Sequence, residues 1–196
     1  MWRKVTEFEN RIADFYGAPH AVAVDCCTHA LELVLRLKKI QSISVPTHTY
    51  LSIPMTAIKL GIDYHWRDEK WQDEYSIAPD IYDSAVLWKQ NSYRPNSYQC
   101  ISFQFKKHLS LGRGGAILLS NHSEYEQLTR MAYDGRLPYA PWKEQVINTI
   151  GYHYYMTPET AMHGLDRLPS AISSTPVQWS WKDYPNISSY DIFKTR

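Results

Sequence analysis

Cysteine is scarce and badly placed for cross-linking. The 196 residues hold three, Cys26, Cys27 and Cys100, which match no metal-ligand spacing and cannot make an even disulfide set. Adjacent cysteines rarely bridge each other, so a reducing, cytoplasmic setting is expected. Long apolar runs are also missing. No stretch approaches the ~18 apolar residues of a membrane span, and no apolar segment follows the basic residues near the start, so neither an anchor nor a secretory leader is expected. An excess of one charge is absent too. Lysine and arginine total 21 against 20 aspartates and glutamates, and a net charge of +1 gives no electrostatic reason to bind nucleic acid or an acidic membrane. There is no internal repeat or low-complexity tract, and the length suits one large domain better than two.

Aromatic residues, in contrast, are abundant, with 15 tyrosines and 7 tryptophans. Scattered among turns, such residues mostly pack cores and interfaces. The one compositional shift follows Leu168, where Pro169, Ser170, Ser173, Ser174, Thr175 and Pro176 interrupt helical patterning. Beyond it, Trp179, Trp181, Tyr184, Tyr190 and Phe193 make the tail too apolar for a free linker. The chain therefore divides into a body, residues 1–168, and an arm, residues 169–196, that packs on the body or on a partner.

Within the body, helical and strand patterns alternate. Thr6-x-x-Glu9 has the form of a capping box, and Phe8, Ile12, Phe15 and Tyr16 fall at helical spacing before Gly17 stops the helix. Ala21–Val24 is a short apolar run of the buried-strand kind. Helices are expected over 28–39, 51–60, 123–133 and 158–168, and strands over 43–45, 77–83, 99–103 and 116–119. This order predicts an α/β fold with a mostly parallel sheet flanked by helices on both faces. Ligands of such sheets collect beyond the carboxyl ends of strands. The turn from Val24 into the helix at Thr28 is one such place, because the backbone N–H groups of Cys27 and Thr28 and the Thr28 hydroxyl would face an anion there. Asp25, beside them, would repel it.

The most informative stretch is Ser102-Phe103-Gln104-Phe105-Lys106-Lys107-His108-Leu109, followed by Gly112-Arg113-Gly114-Gly115 and the apolar run Ala116–Leu119. A lysine held ahead of a glycine cluster and a strand is suited to Schiff-base chemistry, which needs a rigidly placed amine that is partly unprotonated. A phosphate-binding loop is a poor alternative, since the glycines lack the Gly-Lys-Ser/Thr ending and precede a strand rather than a helix.

This stretch resembles the Schiff-base segment of the DegT/DnrJ/EryC1/StrS family of pyridoxal-phosphate (PLP) sugar aminotransferases. Four other stretches match the family in the same order: Phe8 to Gly17 with His20 to Leu31, Val45-Pro46-Thr47-His48-Thr49-Tyr50, Tyr82-Asp83-Ser84-Ala85, and Gly151 to Thr157 with Ala161 and Gly164-Leu165. The resemblance spans roughly residues 8 to 168. It implies the aspartate-aminotransferase-like large domain, with the small C-terminal domain absent or reduced to the arm. By the same resemblance Lys107 is the covalent anchor of PLP and the general base, and Asp83 holds the pyridine nitrogen protonated. Tyr50 stacks on the ring, while Cys27, Thr28 and Ser102 contact the phosphate. His153 stands where the family carries an asparagine that reaches the phosphate of the neighbouring subunit, which implies a homodimer with shared sites. Arg113, Tyr155 and Val86 replace the glutamate, arginine and polar residue usual at their positions.

The function implied is transfer of an amino group from an amino-acid donor such as glutamate to a keto sugar, nucleotide-linked. Histidine in place of the lysine accompanies dehydration in this family, so Lys107 favours transamination. The alternative is a trimmed, catalytically idle relative that binds PLP or serves in assembly, because closing a substrate pocket needs a second wall.

Overall fold

A computed structural model describes residues 2–194. It is a layered α/β structure whose five-stranded sheet has the order β1-β7-β6-β5-β4, with a separate parallel pair β2-β3. The strands are β1 His20–Val24, β2 Ser42–Pro46, β3 Asp63–Arg67, β4 Tyr75–Ala78, β5 Ile81–Asp83, β6 Tyr98–Ser102 and β7 Gly115–Leu119. The helices are α1 Arg3–Tyr16, α2 Cys27–Leu37, α3 Ser52–Leu60, α4 His122–Ala132 and α5 Pro158–Ser173.

The central strands are apolar on both sides because both faces are covered. Val22, Val24, Cys100, Ile117 and Leu119 point into one core with Leu31, Leu33 and Val34 of α2. Ala21, Ala23, Ile101, Ala116 and Leu118 point into the other, with Phe8 and Ile12 of α1 and Ala161 and Leu168 of α5. Alternation along each strand thus feeds two cores. Among the described residues, no helix is long and apolar enough to cross a membrane.

Four sequence expectations need correction. The sheet is mixed: β2–β3 and β5–β6 are parallel, whereas β1–β7, β6–β7 and β4–β5 are antiparallel. Residues 77–83 are not one strand but two, because Asp80 adopts φ +58° after Pro79 and turns the chain back as a hairpin. The proposed Thr6–Glu9 capping box does not form. Helix α1 starts a turn earlier, at Arg3, and the Glu9 carboxylate is buried, accepting the Ala23 N–H at 2.8 Å. Finally, α5 runs past Leu168 to Ser173 with Pro169 inside it. Burial of Leu168 and Ala171 on one face offsets the hydrogen bond that proline cannot make.

The segment after α5 lies on the body. Ile187 donates its N–H to the Thr47 carbonyl and Trp181 to that of Trp71, while Asp73 donates to Trp179. Ile187 and Phe193 are buried, so apolar burial and backbone pairing both hold the arm down.

Candidate active site

Pairing register brings four strand ends to one edge of the sheet. Val24 at the end of β1 faces Gly115 at the start of β7, and Gly115 faces Ser102 at the end of β6. Asp83 ends β5 opposite Cys100. Helix α2 begins directly above this edge. A Cβ on Gly115 would sit 2.6 Å from the Cys26 carbonyl carbon and the Cys27 nitrogen, so only glycine lets the strand pass beneath the helix start.

The Lys107 loop is braced by backbone bonds from Phe103 to Gly114, Leu111 to Phe103 and Lys107 to Gln104. Lys107 and Ser102 share the wall of a cavity of about 260 Å3 with Ala85, Val86, Trp88 and Trp179. Burial pulls the Lys107 amine below the usual lysine range, opposed by the Asp83 carboxylate and Cys27. Asp83 itself is 5% exposed. Its oxygens accept the Tyr75 hydroxyl at 2.5 Å and the Ala85 N–H at 3.0 Å. Burial raises its pKa, with the Tyr75 hydroxyl, the Ala85 N–H and Lys107 working against that rise. Both shifts follow desolvation: each charged form is short of solvent and neither group has a direct ionic partner among the described residues.

The helix start is charged by comparison. Asp25 pairs with His29 Nδ1 at 2.6 Å and with Arg113 at 2.6 Å. Burial raises its pKa, but the His29 and Arg113 bonds outweigh that and hold it below the usual carboxylate value. The His29 pKa is pushed up to about 9: burial opposes the charge, and hydrogen bonds to Asp25 and Cys26 overcome it. Its ring also stacks on Tyr154 at 3.6 Å. The repulsion expected of Asp25 is thereby neutralised by two cations that the sequence kept four and 88 residues away. The first-turn N–H groups of Cys27 and Thr28 have no partner inside a helix. The Thr28 hydroxyl donates to Ser52 Oγ at 2.9 Å, and the buried Cys27 thiol donates to the Cys100 carbonyl at 3.3 Å.

Of the residues singled out from sequence, Lys107 and Ser102 therefore line one cavity; Asp83 is near enough to act on the Lys107 charge, and Cys27 and Thr28 stand at the helix start across Gly115. Tyr50 and His153 are the exposed members of the set. Tyr50 is 61% exposed and, like Asp83, Cys27 and Thr28, lies outside the cavity wall, though its charge acts on the same Tyr184 as those of Asp83 and Cys27. His153 is also exposed, bound to Asp134 at 3.1 Å and to the Tyr155 hydroxyl at 3.1 Å, away from the cavity wall. Tyr75, Trp179, His29 and Arg113 were not anticipated as partners of the site. Tyr75 was within reach of the sequence: a turn placed at Pro79-Asp80 pairs it directly with Asp83.

Residues 1–87 and 94–174 match the model of the DegT/DnrJ/EryC1/StrS aminotransferase family, and the chain belongs to that family. It is 26% identical over 166 residues to the spore coat polysaccharide biosynthesis protein SpsC of Bacillus subtilis, covering 81% of this chain and 39% of that protein. Its fold is similar to that of the PLP form of Spr1654 from Streptococcus pneumoniae, at TM-score 0.70 and 19% identity, covering 85% of this chain and 60% of the other. It is also similar to the sugar aminotransferase CalS13 from Micromonospora echinospora, at TM-score 0.70 and 16% identity, covering 86% and 61%. At such identities these structures establish the fold. The chain spans well under half the length of the curated relatives it matches.

The residues present fit PLP. A half-buried amine of lowered basicity shares a cavity with a hydroxyl, and the buried Asp83 carboxylate is met only by neutral donors. A protonated ring nitrogen would supply its missing counter-charge.

Proposed function

We propose that this member of the family is a PLP-dependent aminotransferase. It moves an amino group from an amino-acid donor, with glutamate favoured, to a keto sugar that is nucleotide-linked. The observation that carries the reading is the position of Lys107 Nζ: on a cavity wall with Ser102 and Ala85, near enough to buried Asp83 to feel its charge, and depressed in basicity by burial. The names of a polysaccharide-biosynthesis relative and of a sugar aminotransferase of the same fold support the sugar as acceptor class.

When bound, PLP supplies an electron sink beside the carbon whose proton is moved. The chain's own residues do the rest. Lys107 Nζ is the covalent anchor, and burial shifts it toward its unprotonated, nucleophilic form. With PLP held there, the same Nζ would be placed to take up and return a proton at the reacting carbon. Asp83 presents negative charge to the ring nitrogen, which suits a group held by two neutral donors and short of a cation. Ser102, the Thr28 hydroxyl and the N–H groups of Cys27 and Thr28 receive the phosphate, with His29 and Arg113 cancelling Asp25.

Two copies would share the sites. His153 projects outward, and the neighbouring segment exposes Tyr139, Trp142, Val146 and Ile150, the kind of patch that a second subunit covers. One observation favours the alternative of an idle PLP-binding module: the Trp179 ring lies 5.2 Å from Lys107 Nζ and narrows the space beside the amine.

Incubation with PLP followed by borohydride tests the reading. The protein is expected to become coloured, and reduction is expected to fix one label on Lys107. Absence of colour, or a label on Lys106, would sink it. Addition of glutamate to the coloured protein separates the two versions, since only the enzyme bleaches.

A further inference from the structure

We infer that Trp179 is the aromatic face of the Lys107 site, and that the arm carrying it is the second wall of the cleft. The inference rests on the proposed attachment of PLP at Lys107 and adds what holds the ring there.

Three observations converge on it. The first is position: Trp179 borders the same cavity as Ala85, Val86, Ser102 and Lys107, with its ring centroid 5.2 Å from Lys107 Nζ. The second is that Tyr50, the aromatic residue expected from sequence, is 61% exposed and does not border that cavity wall, whereas Trp179 does. The third is that the arm is fixed at both ends of the crossing. Before it, the Ala171 carbonyl accepts His108 Nε2 at 2.8 Å and the Trp88 indole at 3.2 Å, tying the end of α5 to the residue next to Lys107. Around Trp179, its carbonyl accepts the Asp73 N–H at 2.9 Å and the Trp181 N–H reaches the Trp71 carbonyl at 3.1 Å. Ser180 and Asp183 close a capping box just beyond. An indole held this way meets a ligand with little ordering left to do.

The chemistry suits a flat ring. An indole face attracts the Lys107 ammonium in the free protein, and it offers a planar heteroaromatic ring a stacking surface once that amine is engaged. The cavity wall also carries the polar groups of Ser102, His108, Lys106 and Lys107, which can meet a ligand's substituents while the indole meets its ring. The arm thus covers one side of the cavity beside Lys107.

The test is equilibrium binding of PLP, read by absorbance and by the yield of borohydride-fixed label, for the wild-type chain and for Trp179→Leu, Trp179→Phe and Tyr50→Ala. Leucine keeps apolar bulk without a π face, so Trp179→Leu should weaken PLP binding roughly two- to tenfold. Trp179→Phe and Tyr50→Ala should stay within about twofold. Circular dichroism melts of the Leu and Phe variants control for folding, and the Leu/Phe contrast remains decisive if both lose stability equally. Equal binding by the Leu and Phe variants, or a larger loss in Tyr50→Ala, overturns the inference while leaving PLP attachment intact. A wild-type chain that takes up no PLP overturns the functional reading and this inference with it.

Discussion

The two sides of the cleft handle charge in opposite ways. On the Lys107 side, Asp83 and Lys107 are buried without direct ionic contact, and each shifts toward its neutral form. On the helix-start side, Asp25, His29 and Arg113 touch, and each shifts toward its charged form. The difference lies in geometry, since both sides contain a carboxylate and a base. Where partners meet at 2.6 Å, pairing defeats desolvation; where a carboxylate meets only neutral donors, desolvation wins. A nucleophilic amine belongs on the second kind of wall, and a charge-neutral frame for an anion on the first.

The largest expected effect comes from removing the amine. Lys107→Ala should abolish borohydride-fixed PLP altogether while the melting temperature moves only a few degrees, since the lost group is one the fold desolvates. A label that persists elsewhere would place the anchor outside this wall.

Asp83→Asn comes next. PLP should still bind, but the half-reaction with glutamate, followed by stopped-flow absorbance, should slow by roughly two orders of magnitude, because an amide cannot hold a proton on the ring nitrogen. An unchanged rate would remove Asp83 from the chemistry.

A third carboxylate sharpens the comparison away from the cleft. Glu9 is buried without a cation, and its pKa is raised to about 8. Between 4.5 and about 8 the folded state therefore binds more protons than the unfolded one, so this residue's contribution is full below 4.5 and is lost as pH rises through 8. Glu9→Gln should leave stability unchanged near pH 4 and raise it by a few kcal/mol above pH 8 in urea titrations. A variant equally stable at both ends of that range would show that Glu9 is solvated.

The smallest effect belongs to the paired side. In Asp25→Ala, the His29 pKa, about 9 in the intact network, should fall toward the ordinary histidine value, which NMR titration reads directly. The raised value means that His29 stabilises fully below about 6.5, its unfolded value, and that this contribution fades as pH rises through 9. The loss in Asp25→Ala should be modest and should shrink with added salt.

Much of this arrangement was legible in the chain. The run from Ser102 to Gly115 marked the lysine, and the apolar periodicity marked the helices over which the two cores form. Asp83 was recognisable at a strand end. What stayed hidden depended on a turn or on distance. Asp80 at φ +58° splits one expected strand and swings Tyr75 onto Asp83; Glu9, read as a helix cap, is instead an acceptor for Ala23, because α1 begins a turn sooner than the Thr6 pattern indicated. Arg113 looked like a departure at a motif position, and only the fold shows it bonded to Asp25.

By itself, then, the sequence indicated most of the helices and strands, and the family, and it singled out Lys107 as the candidate amine, because these rest on local patterns and on motifs read along the chain. Tertiary structure alone decided which strands run parallel, that Tyr50 is exposed while the Trp179 ring lies over Lys107, and in which direction each carboxylate's pKa moves. Those outcomes depend on contacts between residues tens of positions apart and on how much water each contact excludes, and neither is written at any single position.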